Sequence, residues 1–251
     1  MIDKKIVAKN FSAQFKNYDD FALVQKKCAK KLCDFSKKFI KNNDFVLDLG
    51  SGTSFVSKDL STHKSCKIFE TDISFNMLQS WQNRPSDCFA INCDISQLPF
   101  KNATFDFIIS SFALQWLEDF DKLFASLQQI AKVGTIVAFC FPIEYSLEKI
   151  KNASRNSGCN FNFRNLANQN NIKEKLLKNN FKEILFLEET IAQESKDGVG
   201  FLKNIKKIGA NYREKKNLIN KKKLQKFNDL FLKNDNIDYW HVGYFLYQKN
   251  V

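Results

Sequence analysis

The sequence predicts an α/β fold: a doubly wound, mostly parallel seven-stranded sheet, with an N-terminal helical segment before it and a C-terminal helical lid after it. Three observations predict it. Short apolar runs alternate with helical stretches between residues 45 and 141. Those runs are apolar throughout, which strands buried on both faces require. Beyond residue 141 the chain turns polar, asparagine-rich and basic, with amphipathic helical pieces around two further strand-like runs. The chain has 251 residues, 44% hydrophobic and 14% aromatic, enough apolar material for one folded domain and short for two.

In chain order, residues 20–40 read as a helix, because Val24, Cys28, Leu32, Phe35 and Phe39 recur at helical spacing with lysines between them. FVLDLG (45–50) is a continuous apolar run stopped by glycine and reads as a buried parallel strand. CKIFETD (66–72), CFAINCD (88–94), FDFIIS (105–110) and GTIVAFCF (134–141) repeat the theme, with helices expected over 54–61, 76–82 and 119–131. After helical pieces within 143–180, ILFLEET (184–190) reads as a sixth strand. FLKNIKKIGA (201–210) reads as a helix with Phe201, Leu202, Ile205 and Ile208 on one face and Lys203, Lys206 and Lys207 on the other. A second basic helix turns Leu224, Phe227 and Phe231 inward, and YWHVGYFLYQ (239–248) closes the sheet. The expected organisation is a single domain over 1–251: a helical cap (1–42), a cofactor-binding core (43–141), and a substrate lid with closing strands (142–251).

Several classes are excluded. The opening MIDKKIVAKNFSAQF has no apolar signal-peptide core, and no run approaches the ~18 apolar residues of a membrane span. Seven cysteines without a CxxC, and only His63 and His241, argue against a disulfide framework or a metal site. Reduced thiols in a cytoplasm fit better. The net charge of +12 is uneven: residues 1–150 carry 19 basic and 17 acidic side chains, residues 151–251 carry 20 and 10. From Lys203 to Lys226, Glu214 is the one acid among ten basic residues. This is either the solvated surface of a lysine-rich chain or a docking face for an acidic protein or a nucleic acid. Composition does not choose between them.

Asp48-Leu-Gly50-Ser51-Gly52-Thr53-Ser54 comes after the first strand and opens a helix. Glycines there let the backbone approach a ligand, and a helix N-terminus favours negative charge. Dinucleotide sites share such a loop, so the ends of the next two strands decide. Asp72 ends the second strand, where an acid accepts from ribose hydroxyls and repels a 2′-phosphate. Asp94 ends the third, where an acid can accept from an adenine amino group, with Ile73, Met77 and Ile95 as apolar walls. Three acids at three successive strand ends suit a cationic cofactor bearing a ribose and an amino group, a description that S-adenosylmethionine meets.

VLDLGSGTS, ETDISFNML, CDISQLPF, TFDFIISSFALQW and GTIVAF stand in the order and spacing of class I S-adenosylmethionine-dependent methyltransferases, and the chain resembles that Rossmann-like family from about residue 45 to 141. It departs at Ser54, where the family usually has a third glycine. A serine caps helices well, so binding is expected to survive. FSAQFKNYDDFALVQKKCAKKL, FALQWLEDF, SLEKIKNA and FLKNIKKIGANY extend the resemblance over nearly the whole chain to the malonyl-acyl-carrier-protein O-methyltransferases of biotin synthesis.

That resemblance implies methylation of the free carboxylate of malonyl thioester on acyl carrier protein. A malonyl carboxylate is already an anion, so no general base is needed. It must be held in line with the methyl group, away from water, and given a partner as it is buried. Of four arginines, Arg84 falls on the adenine side. Arg155 and Arg164, after the fifth strand, are candidates to clamp the carboxylate, and Arg213 to clamp it or dock the carrier. Tyr18, in a segment that covers the site in related enzymes, is a candidate catalytic residue. So are Ser110 and Ser111, where the transferring methyl belongs; Ser110 is also a candidate for the methionine groups. Trp116 is expected as a pocket wall with Gln115 close behind, and His241 as a core or surface residue. Lys203, Lys206, Lys207 and Arg213 would receive the acidic carrier. Alternatives on the same fold are another small carboxylate or RNA as acceptor. Against a base-methylating enzyme, the fourth strand ends in Ser110-Ser111-Phe112-Ala113 and lacks the Asn/Asp-Pro-Pro-Tyr/Phe motif.

Overall fold

The computed structural model of the protein describes residues 3–210 and 220–250. Three N-terminal helices, α1 (Lys4–Gln14), α2 (Tyr18–Phe21) and α3 (Leu23–Ser36), precede β1 (Phe45–Leu49). Next come α4 (Phe55–Ser61), β2 (Lys67–Asp72), α5 (Phe75–Gln79), β3 (Cys88–Asn92), β4 (Phe105–Ser111), α6 (Phe120–Ile130) and β5 (Ala131–Pro142). The second half adds α7 (Glu148–Ser157), α8 (Gln169–Lys178), β6 (Phe181–Glu194), α9 (Gly198–Lys207), α10 (Lys221–Leu232) and β7 (Ile237–Lys249).

One seven-stranded sheet runs in the order β3-β2-β1-β4-β5-β7-β6. β1 to β5 pair in parallel, and β7 inserts antiparallel between β5 and β6. The expected mostly parallel, doubly wound sheet is therefore present, and all seven expected strands are in it. Its order reverses beside β1, so the carboxyl ends of β1 and β4 open a crevice there, where ligands bind in such sheets. Apolar clusters cover both faces. One gathers Cys28, Leu32, Val46, Phe201, Phe227 and Tyr244; the other gathers Leu47, Phe105, Phe124, Leu127, Phe139 and Phe245. All seven cysteines are free, and all except Cys93 are buried.

The expected helix over 20–40 is two helices. Ala22, at φ −85 and ψ 42, breaks it after α2, and α3 ends at Ser36. α3 buries Gln25, Cys28, Ala29, Leu32, Cys33 and Ser36, a stripe at helical spacing. The helix expected over 76–82 is shortened to α5.

Ser54 does not cap α4 as expected. Its side chain makes no capping hydrogen bond, its φ is 70, and its hydroxyl is buried without a partner. Ser54→Gly removes both the left-handed strain and a desolvated hydroxyl, against the larger chain entropy of glycine. It is expected to raise stability by about 1 kcal/mol, read as a higher melting temperature without cofactor. An unchanged or lowered melting temperature would mean the strain is absorbed elsewhere.

Candidate functional site

Two cavities meet at the carboxyl end of the sheet. The first is walled by the loop after β1 (Gly50, Ser51, Gly52, Thr53), by Asp48, by Asp72, Ile73 and Met77 after β2, and by Asp94 and Ile95 after β3. These strand ends converge because parallel strands all deliver their carboxyl ends to one edge. Gly50 has φ +67, and a Cβ there would sit 2.3 Å from the Ala113 Cβ, so the first loop packs directly on the segment after β4. Gly52, at φ +55, has nothing within 4 Å of an added Cβ. It leaves open space beside the carboxylate of Asp72.

Asp72 holds the loops on either side of it. Its Oδ2 accepts from Gly52 N at 3.0 Å and its Oδ1 from Ser74 N at 2.7 Å. Burial pushes its carboxyl up to about 6, against the pull of those two hydrogen bonds. Asp48 is buried in β1; its Oδ2 accepts from Ser57 Oγ at 2.7 Å, while Oδ1 has no partner. Burial, reinforced by the nearby Glu70, pushes it up to about 8. Ser51 Oγ and Thr53 Oγ1 are also buried without partners. A cradle of unpartnered oxygens, open glycine backbone and strand-end acids fits a polar ligand of the size and charge expected from the sequence.

Both acids oppose folding once ionised, because their folded-state values are raised. The effect is absent below the ordinary carboxylate value and grows as pH rises, until Asp72 has ionised near 6 and Asp48 near 8. Without cofactor, the protein is expected to melt at lower temperature at about pH 8 than at about pH 5. Asp48→Asn, which keeps an acceptor for Ser57, should flatten that slope. Parallel thermal melts of the two proteins check it, and identical slopes would refute it.

The N-terminal cap closes this cavity. Lys4, Val7 and Phe11 of α1, Tyr18 of α2, and Gln25 and Ala29 of α3 all line it. Lys4 Nζ donates to Asp94 Oδ2 at 2.7 Å; Ser96 N donates to Oδ1 at 2.8 Å. Burial would raise Asp94, but these bonds outweigh it and hold its carboxyl below the usual range. Tyr18 packs between Phe11 and Phe55, with ring centroids 6.4 and 6.2 Å away. Burial and the neighbouring Asp72 raise its hydroxyl well above the ordinary tyrosine value, so it stays a donor. It lines the first cavity and not the second.

The second cavity lies under α7, α9 and the segment 161–166. Gln25, Phe112, Gln115, Trp116, Phe161, Phe163, Leu202, Ile205 and Trp240 wall it, and Lys151, Arg164, Lys203 and Lys206 bring positive charge to it. An Arg164 Nη donates to Leu117 O, and the guanidinium lies 5.8 Å from the Trp116 ring centroid.

Two expected residues, Ser110 and Arg155, are placed elsewhere. Ser110 is fully buried and its Oγ donates to Leu49 O at 2.7 Å, tying β4 to β1. It lines neither cavity; Ser111, the next residue in the strand, lines the first. Arg155 is exposed and 4.0 Å from Glu148, beyond the cavity that Lys151, one turn earlier, lines. Lys207 is exposed on α9, as a docking face requires, with its Nζ 3.9 Å from the Phe21 ring centroid. Arg213 lies outside the described residues. Arg84 lines neither cavity; its Nε donates to the buried Glu70. His241 Nδ1 lies 3.5 Å from Thr190 Oγ1, away from both cavities.

Sequence patterning did not reveal Lys4, Phe11, Gln25 or Lys151. Gln25 left a signal. It stands three, four and seven residues before Cys28, Ala29 and Leu32, an uncharged polar residue in the buried stripe of a lysine-rich helix.

Comparison with known proteins agrees with this geometry. A family model described as a methyltransferase domain matches residues 47–139. The malonyl-acyl-carrier-protein O-methyltransferase of Buchnera aphidicola is 29% identical over 238 residues, covering 94% of each chain. Malonyl-acyl-carrier-protein O-methyltransferase 2 of Ilyobacter polytropus is 30% identical over 226 residues, 84% of this chain and 82% of its own. Among solved structures, the phosphoethanolamine N-methyltransferase 2 of Haemonchus contortus, in complex with S-adenosyl-L-methionine, matches with a TM-score of 0.57 at 16% identity. That match covers 88% of this chain and 53% of the other, and is a likeness of fold.

Proposed function

The chain belongs to the malonyl-acyl-carrier-protein O-methyltransferases, S-adenosylmethionine-dependent enzymes of biotin synthesis, and from that premise we propose how its two cavities divide the reaction. The first takes the cofactor and the second takes the malonyl thioester. The observation that carries this reading is their junction, where an apolar chamber with a basic rim opens onto the acid-lined cavity.

S-adenosylmethionine supplies an electrophilic methyl group on a sulfonium sulfur. Asp72 would hold its ribose, with Ile73, Met77 and Ile95 enclosing the adenine. Asp94 would accept from the adenine amino group beside the Lys4 ammonium. Gly50, Ser51 and Gly52 would let its methionine end lie against the backbone, with the unpartnered Ser51 hydroxyl as a donor. Tyr18 would close over the ribose side as a permanent donor. The malonyl carboxylate arrives ionised, so the chain needs no base. Its residues have only to align the carboxylate and exclude water. Phe112 and Trp116 supply that exclusion at the junction, and Ser111 lines the same end. Lys151, Arg164, Lys203 and Lys206 hold the second cavity at positive potential, which favours an anionic acyl group and the phosphate of a carrier's arm.

In this reading residues 1–251 act as one unit. Residues 43–141 and the cap 1–42 enclose the cofactor, and residues 142–251 cover the acceptor. The acidic carrier would dock in the cytoplasm on the rim of Lys203 and Lys206, with the exposed Lys207 on the same helix; the expected contribution of Arg213 lies outside the described residues. No helix of the described residues is long and apolar enough to cross a membrane.

Methyl transfer to malonyl carrier protein, malonyl-CoA, free diacids and bulk RNA, compared under one set of conditions, tests the proposal. Malonyl carrier protein should be the best acceptor and RNA should be silent. Faster transfer to RNA or to a free diacid would overturn the assignment. Exposed ion pairs are worth ~0.2–1 kcal/mol each and salt screens them. Lys203→Glu with Lys206→Glu should therefore raise KM for the carrier severalfold, remove its salt dependence, and leave cofactor affinity unchanged. A KM indifferent to both substitutions and to salt would move docking to another face.

A further inference from the structure

We infer that Gln25 and Trp116 are the side chains that hold the reacting carboxylate, a role that rests on the second cavity taking the malonyl thioester. The acceptor oxygen must reach the methyl end of the first cavity while its acyl chain lies in the second. Among the described residues, Gln25, Phe112 and Trp116 line both. Phe112 is apolar, so side-chain N–H donors at the crossing come from the other two.

Both donors are held in reserve. Gln25 is 6% exposed, and its amide makes no hydrogen bond with any described residue. Trp116 Nε1 is buried without a partner. A buried donor such as the Trp116 N–H is rarely left unmatched, and doing so costs stability unless a ligand completes it. The two side chains come from distant segments, α3 and the turn after β4. The indole is nonetheless fixed: Phe11 meets the Trp116 ring edge-on at 5.7 Å, and Arg164 covers it at 5.8 Å.

Gln115 sets the direction of the acyl chain. Its Nε2 is committed to Phe112 O at 2.7 Å, which leaves Oε1 buried and unpartnered in a residue that lines the second cavity and not the first. An acceptor there disfavours a carboxylate and suits an amide N–H of a pantetheine arm. The cations Lys151, Arg164, Lys203 and Lys206 line the second of the two cavities and not the first. They attract the anion without forming a tight ion pair at the attacking oxygen. Neutral donors suit that oxygen, because a close ion pair would stabilise the free carboxylate more than the transition state, where its charge is being lost. One oxygen accepts from Gln25 Nε2 and Trp116 Nε1 while the other faces the methyl group. The uncharged ester product accepts more weakly from the same pair, which favours its release.

The test measures binding, not turnover. Enzyme saturated with S-adenosylhomocysteine is titrated with malonyl-pantetheine and with acetyl-pantetheine, which lacks the carboxylate. Wild type should prefer malonyl. Gln25→Leu, close in volume and apolar, and Trp116→Phe, which keeps a ring but loses the N–H, should each weaken malonyl-pantetheine by about tenfold or more, with acetyl-pantetheine and S-adenosylhomocysteine held within about twofold. Gln25→Glu should bind malonyl-pantetheine worst at high pH and recover as the pH falls and the new acid becomes a donor, a profile that a packing role would not give. S-adenosylhomocysteine affinity doubles as the check that each variant has folded. A wild type with no malonyl preference would sink the substrate reading itself. A wild-type preference that survives both Gln25→Leu and Trp116→Phe would overturn the inference alone, as would variants that lose S-adenosylhomocysteine and keep malonyl-pantetheine.

Discussion

Asp72→Ala is expected to weaken S-adenosylhomocysteine binding by about a hundredfold, roughly 3 kcal/mol. The carboxylate carries two loads. It accepts from Gly52 N and Ser74 N, which fixes the turns after β1 and β2, and its remaining lone pairs face the cavity where a ribose would lie. Alanine removes the ligand contacts and frees both turns. Asp72→Asn keeps one acceptor and should lose less. Calorimetry on the three proteins decides; an affinity for Asp72→Ala within threefold of wild type would place the ribose elsewhere.

The second large effect separates two neighbouring glycines. Gly50→Ala drives a methyl to 2.3 Å from the Ala113 Cβ at a left-handed backbone position. One of the two segments must shift, at a cost of about 3 kcal/mol or more in stability. Gly52→Ala meets nothing within 4 Å and carries only the strain of φ +55, about 1 kcal/mol. Its methyl enters the space beside Asp72, so ligand affinity should fall while the fold survives. Thermal melts and S-adenosylhomocysteine titrations of both variants separate the two roles. Equal melting temperatures would show that the Gly50 contact can relax.

Much of this site was legible before the structure. The acids Asp48, Asp72 and Asp94 could be read because buried parallel strands announce themselves as apolar runs, and the residue ending each run lies at the ligand edge. The error at Ser110 has the opposite cause. β4 is apolar on both faces, so its sequence has no alternation to tell which of two adjacent serines faces the crevice. Arg155 was misplaced because helical periodicity gives a face but not where along the helix the cavity stops; Lys151 shares that face and lies within it. Lys4 and Phe11 were hidden because α1 owes its place to long-range partners, Asp94 and Trp116, which local pattern cannot supply. Ala22 breaks a helix whose flanking stripe continues in phase.

β6 and β7 pair along nearly their whole length, from Phe181 with Lys249 to Glu194 with Ile237. α9 and α10, which reach the acceptor cavity through Leu202, Ile205 and Leu224, are inserted at the far end of that pair. The sheet is complete without them. The insert can therefore vary the kind of acyl chain admitted without disturbing the strand pairing, provided it keeps the core contacts of Phe201, Phe227 and Phe231. Chimaeras that swap only this insert between relatives are the natural unit for redirecting such an enzyme to new acids.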